Sequence, residues 1–305
     1  MSLFPEYALT PDLFLEEKNA ASLKRIYKDW LRHGLVRNLY DGQWRTYLKN
    51  SNLSPIGKEV LKSLMKPNRL VTSDPCLPKP GPANDQDWCR EALKSHGNRS
   101  LNAILATKEV LGEFESNPLL VTSEDYNDHD ELYPGQSLNL KYSVDDYCQA
   151  LENVFRRATE VCFIDPYINP AHIQYREDFP KIFDSIKKHR HRSEARIRIQ
   201  IHLWDDPSLD KSKVAWQKTF EPWGSRLRNH KLSAVVHLWS KFQSRYFLCN
   251  FFGLSTGKGF KSNMDSNETH AWTKLEKEHA EAVGQDFETN GNGIKQKLKH
   301  RFTIG

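Results

Sequence analysis

The alternation of signals after residue 140 narrows the possible folds more than any other feature of this sequence. Residues 144–157 read as a helix, opened by Ser143 with Asp146 three positions on, a capping box with Asp in place of the usual Glu. The strongly apolar strand 161–164 follows. Then come helix 176–189, strand 196–204, helix 210–228 and strands 232–239 and 245–252. Strands alternating with helices predict a parallel or mixed sheet covered by helices, an α/β fold.

The first half lacks this regularity and reads as richer in helix. Thr10 can cap a helix with Pro11 at its first position; Ile26, Trp30 and Leu31 follow at helical spacing, and Gly34 ends the run. A second helix is expected from Ser54 and Pro55 through Val60, Leu61, Leu64 and Met65, and two more near 85–96 and 100–114. Residues 70–72 and 119–121 are candidate short strands. Between them, residues 73–84 hold four prolines and a glycine and form a connector. Residues 123–137 are acidic and loop-like. The division expected is a mostly helical region over 1–140 and a mixed-sheet domain over 141–305, and the 305 residues suffice for two modest domains.

Composition removes several classes. Cys76, Cys89, Cys148, Cys162 and Cys249 are odd in number, and no two have the spacing of a zinc knuckle or redox motif. They read as reduced thiols of a cytoplasmic protein, with neither metal nor cofactor expected. No stretch approaches the ~18 apolar residues of a membrane span. The net charge of +5 permits nucleic-acid contact without requiring it.

Four features bear on chemistry. Phe163 and Ile164 run straight into Asp165, Pro166 and Tyr167, which places an acid at a strand end, where α/β sheets build ligand sites. The same residues also fit a plain turn. The triplet His-Leu-Trp occurs twice, at His202 and His237, on two strands; these histidines suit acid–base work or simple burial. Phe242, Gln243, Ser244, Arg245 and Tyr246 precede Gly253, Gly257 and Gly259, whose backbone can approach an anion beside Lys258 and Lys261. Finally, Lys187, Lys188, His189, Arg190, His191 and Arg192 form a basic run, which either neutralises phosphates or caps a helix C-terminus.

Taken in order, these stations resemble single-motif phospholipase D-like domains of bacterial defence and mobile-element proteins. That pattern has a strand ending in Ile-Asp-Pro-Tyr, here Phe163 to Ile168. A Trp-Asp-Asp strand end follows, here Trp204 to Asp206. A Phe-His-Asp-Arg-Tyr-Leu-Leu segment stands before a glycine-rich stretch, here Phe242 to Leu248 with Gly253 to Phe260. The stretches from Trp272 to Leu275 and from Arg301 to Ile304 resemble the family's tail. The resemblance covers 140–305 and implies a phospholipase D-like mixed sheet. In that superfamily a histidine attacks phosphorus, a cation two residues on binds phosphate, and no metal takes part. Single-motif chains tend to dimerise.

By that resemblance Arg245 is the phosphate ligand and Asp165 the strand-end acid, while Gln243 occupies the nucleophile position. An amide lone pair is delocalised and does not attack phosphorus, so hydrolysis is expected to be lost. The reading is a nucleic-acid-binding component, DNA or RNA, with a homodimer possible. The alternatives are an active metal-independent nuclease with His237 or His202 as displaced nucleophile, and a subunit whose partner is another protein of the same system.

Overall fold

The computed structural model describes residues 4–29, 34–65, 69–114, 117–125, 137–190, 197–207, 212–262, 267–288 and 297–305. The chain divides into two compact units, one over Leu3–Pro134 and one over Gly135–Gly305. Both are α/β.

The first unit is rich in helix, as expected, and its helices connect the strands of a parallel five-stranded sheet, of which the sequence marked only the segments near 70–72 and 119–121. Its strands are β1 (Glu6–Leu9), β2 (Leu35–Asn38), β3 (Leu70–Thr72), β4 (Ala103–Ala106) and β5 (Leu120–Thr122), in the spatial order β3-β2-β1-β4-β5. Each crossover carries helix: α1 (Glu17–Asp29), then α2 (Gln43–Asn50) and α3 (Pro55–Met65), then α4 (Asp85–Asn98), then the single turn α5 (Lys108–Leu111). Thr10 and Pro11 do open a helix, but a short 3-10 turn over Pro11–Phe14 rather than one long helix. The helix expected over 100–114 is instead strand β4 followed by α5. Strands β1, β2 and β4 are buried along their whole lengths. They therefore show no apolar–polar alternation, and four residues are too few to separate a buried strand from buried helix by pattern. Trp30 and Leu31 lie outside the described residues.

The strand order reverses between β1 and β4, where an open parallel sheet offers a ligand crevice at its carboxyl edge. Here side chains close that place. The Thr10 hydroxyl donates to the Leu105 carbonyl at 3.1 Å. Asp12 accepts from the Thr107 amide at 2.9 Å, and its own amide donates to Asp85 at 3.2 Å.

The second unit follows the expected alternation through residue 239, but the single strand expected over 245–252 is instead an antiparallel hairpin that turns at Asn250 and Phe251. Its elements are β6 (Ser137–Lys141), α6 (Val144–Arg157), β7 (Glu160–Ile164), α7 (Ile173–His189), β8 (Arg198–Trp204), α8 (Lys213–Asn229) and β9 (Ala234–Trp239). They continue with β10 (Tyr246–Cys249), β11 (Phe252–Ser255), β12 (Thr269–Lys274), α9 (Lys277–Asp286) and β13 (Leu298–Ile304). The sheet order is β13-β9-β8-β7-β10-β11-β12-β6. Strands β7, β8 and β9 are parallel, and the other pairings are antiparallel.

Strand periodicity sorts this unit into two faces. Phe163 of β7 and its register partner Phe247 of β10 pack against Phe179 of α7 and Phe155 of α6, so α6 and α7 cover one face. Helix α8 joins them, with Trp223 stacked on Phe179 at 4.7 Å and Phe220 against Phe302 of β13. The opposite face carries Ile164, His202 and Trp239 under Val283 and Phe287 at the α9 end. The five cysteines are unpaired. No described helix is long and apolar enough to cross a membrane.

Candidate phosphate site

Strand β7 has β8 parallel to it on one side and β10 antiparallel on the other. At its carboxyl end the chain turns away through Asp165 and Pro166, and the start of β10 brings Arg245 back to the same place. Asp165 is fully buried. One carboxylate oxygen accepts from the Tyr167 amide at 3.0 Å, the local turn that the sequence allows. The other accepts from the Phe260 amide at 3.2 Å and from the Tyr175 hydroxyl at 3.4 Å. The turn that the sequence allows at Asp165 is thus formed, and the same carboxylate also ties down the Phe260 amide and the Tyr175 hydroxyl.

Arg245 Nε lies 3.6 Å from Asp165 Oδ1, and its side chain is 27% exposed. Burial pushes the Asp165 carboxyl above its ordinary value, against the pull of the Tyr167 and Phe260 amides and the Arg245 charge. The guanidinium sits 5.0 Å from the centre of the Tyr167 ring. Among the described residues it makes one long bond, to the Gly257 carbonyl at 3.4 Å, and its buried Nε faces Asp165 without a hydrogen bond. A guanidinium held this way has donors in hand for an anion.

The glycine loop after β11 makes this approach possible. Gly259 has φ +84°, and a Cβ there would stand 2.0 Å from an Asp165 oxygen and 2.9 Å from Arg245 Cδ. Gly259→Ala is therefore expected to push Asp165 and Arg245 apart and to abolish anion binding, with a stability loss of about 1–3 kcal/mol. Gly284→Ala, in α9 with open space around it, serves as the control and should leave binding unchanged. Salt-dependent binding of an oligonucleotide by the two variants checks this.

A cavity of about 480 Å³ opens beside Arg245. Tyr167, His172, Gln174 and Tyr175 line it from the β7–α7 side; Tyr142, Lys258, Lys261 and Glu268 complete it. Its size lies in the range of small-ligand sites. His172 is the N-cap of α7 and makes no side-chain capping bond, so a 17-residue helix begins at the cavity wall. That end of a helix favours anions through its unpaired amides and its dipole. Lys258 Nζ lies 5.6 Å from the centre of the Tyr142 ring. Tyr142 stacks on His270 at 4.5 Å, and His270 bonds to the Tyr147 hydroxyl, which donates to the Lys261 carbonyl at 2.9 Å. Burial lowers the His270 imidazole to about 4, so it is a neutral part of this scaffold at pH 7.

Of the residues singled out in the sequence, Asp165, Arg245, Lys258 and Lys261 meet here. Gln243 and Ser244 are exposed in the β9–β10 connector, and Gln243 does not line the cavity. His237 and His202 are not in the site. His202 is the register partner of Ile164, and His237 of His202, which puts both on the face opposite Asp165. Their rings stack at 4.4 Å, buried. Lys187 and Lys188 are exposed at the far end of α7, roughly 20 Å of helix from His172. Arg190 donates to the Ala158 carbonyl at 2.7 Å, near the start of β7. Arg192 lies outside the described residues.

Tyr142, His172 and Tyr175 had no motif to mark them. They are placed by the turn after β6 and by the entry to α7, and no local pattern links those segments. Among the described residues, no group of His, Cys, Asp and Glu side chains is arranged to hold a metal ion.

No family model matches this chain, and no curated protein matches it. Among solved structures it is similar to that of TrmBL2, described as an archaeal chromatin protein with a novel mode of DNA binding. The identity is 12%, covering 80% of this chain and 83% of that one, with a TM-score of 0.29. A TM-score of that size does not define a shared fold.

Proposed function

We propose that the second unit is a phospholipase D-like domain that binds the phosphodiester backbone of a nucleic acid and has lost hydrolysis. In this reading the protein is a cytoplasmic component of a prokaryotic defence or mobile-element system, and two copies pair through the single-motif domain. The observation that carries it is Arg245: a guanidinium on a cavity wall whose terminal nitrogens make one long bond among the described residues, set against the buried Asp165, while the motif's nucleophile position is glutamine. Lys258, Lys261 and the start of α7 add positive potential to the same cavity.

The test is binding of labelled DNA and RNA oligonucleotides across a salt series in EDTA, with product sizes read on a gel. Wild type should bind with steep salt dependence and leave the strand intact. Arg245→Ala should weaken binding and reduce the salt slope by about one. Salt-insensitive binding, or an unchanged slope in the variant, would sink the proposal.

One observation favours a second reading, an active metal-independent phosphodiesterase: His172 lines the cavity that holds Arg245. Its imidazole has the nitrogen nucleophile that Gln243 lacks. That reading requires cleavage in EDTA that disappears in His172→Ala, and intact product in the gel rejects it.

A further inference from the structure

We infer that the cavity takes single-stranded rather than duplex nucleic acid, with one base stacked on the Tyr167 ring beside the phosphate held by Arg245. This rests on the phosphate-binding reading above and adds the form of the strand to it.

The first ground is where the chain leaves apolar surface uncovered. Among the described residues, the exposed large hydrophobic side chains are Tyr167 (51%), Ile173 (59%) and Val214. Two of these three stand at the same cavity. Tyr167 lines it, and Ile173 sits between the lining residues His172 and Gln174. The other aromatic side chains of this unit pack into layers such as Phe163, Phe179 and Trp223. A half-exposed ring at a cationic cavity is therefore a local exception.

The second ground is that this ring is held in place. Pro166 fixes the backbone before it, and its amide is bonded to Asp165 at 3.0 Å. The guanidinium lies 5.0 Å from its centre. Platform and cation thus form one fixed pair, aromatic surface next to phosphate ligand. That is the arrangement by which proteins hold single strands, stacking bases on rings and tracking the backbone with charge. In a duplex both faces of each base are already covered by neighbours. Reaching Tyr167 would then require unstacking, which carries its own free-energy penalty.

The test uses the full chain in EDTA at fixed low salt, with fluorescence anisotropy as readout. Three probes of equal length are compared: a deoxythymidine strand, a duplex, and an abasic deoxyribose-phosphate strand. Wild type should bind the thymidine strand at least about tenfold more tightly than the duplex. Tyr167→Ala should weaken thymidine-strand binding by roughly 5- to 100-fold and abasic binding by a clearly smaller factor, while Tyr167→Phe keeps both. Equal affinity of Tyr167→Ala and wild type for the thymidine strand overturns the inference. So does equal loss on the abasic strand, which would mean that Tyr167 acts through Arg245 alone, and so does duplex binding as tight as single-strand binding. Arg245→Ala separates the two levels. If it fails to weaken abasic binding, the phosphate-binding reading itself falls; if it weakens all three probes while Tyr167→Ala changes none, only the stacking inference falls.

Discussion

Replacing Arg37 with methionine is expected to destabilise the first unit by about 3–5 kcal/mol, a large part of the ~5–15 kcal/mol that a domain commands. Arg37 and Glu6 are both fully buried, and Arg37 Nε meets the Glu6 carboxylate at 2.8 Å. Arg99 reaches the same oxygen. Arg37 also donates to the Ser95 carbonyl at 2.9 Å, the Ser95 hydroxyl at 3.1 Å and the Arg99 carbonyl at 2.9 Å. One guanidinium thus ties β1 and β2 to the end of α4. Burial works to raise the Glu6 carboxyl, but the two arginines outweigh it and hold the pKa below the ordinary value. The ion pair therefore contributes stability above the carboxyl's unfolded pKa and loses it as pH falls through the lowered folded one.

Methionine would leave a buried carboxylate with one partner and strip donors from buried carbonyls, which is more damaging than removing the whole group. The measurement is urea unfolding, with hydrogen exchange read on the β1 and β2 amides. Adding Glu6→Gln to the variant should recover part of the loss. A loss under about 1 kcal/mol would show that Arg99 alone compensates the carboxylate.

The second large effect is acid destabilisation of the second unit. His202 and His237 are stacked and buried; His202 Nδ1 accepts from the Trp239 indole at 3.0 Å, while among the described residues neither ring nitrogen of His237 has a hydrogen-bond partner. Burial, with the neighbouring His237, pushes His202 well below its ordinary value. Burial, with the Arg301 charge, pushes His237 to about 4. An unfolded histidine takes up a proton near pH ~6.5. With both folded pKa values depressed, stability is complete above pH ~6.5 and falls as pH drops from there toward about 4, because the unfolded chain binds protons that the folded one refuses. The expected loss across that window is several kcal/mol, since each tenfold drop in a group's proton affinity on folding corresponds to about 1.4 kcal/mol.

His237→Leu should make the acid limb shallower. It should keep or raise stability at pH ~7.5, since it removes two buried nitrogens that lack partners among the described residues. Denaturant midpoints between about pH 4 and 8 for both proteins decide it. An acid limb of unchanged slope in the variant would place the acid sensitivity elsewhere.

The contrast between the two units shows what was legible in the residues. In the second unit the strands run to seven residues and the helices carry apolar stripes, although Ser143 makes no side-chain capping bond and the expected capping box does not form. Helix α6 was legible to the residue, and the boundaries of β7 and β9 within a few. In the first unit β1, β2 and β4 are four-residue segments buried on both sides, so their order and even their existence depend on long-range pairing. Glu6 and Arg37 show the same limit, because nothing local tells a buried pair from two exposed charges 31 positions apart.

The sequence by itself determined the alternation after residue 140 and the placement of Asp165 at a strand end. These are matters of local pattern and of the chemistry of single side chains. The tertiary structure decided which of the marked residues share a place. It joined Arg245 to Asp165 because β10 returns antiparallel beside β7, and it brought in Tyr142, His172 and Tyr175 from segments that carry no motif. It also removed His237 and His202, because side chains alternate along a strand and register partners share a face, so one residue's difference in phase puts them on the far side of the sheet.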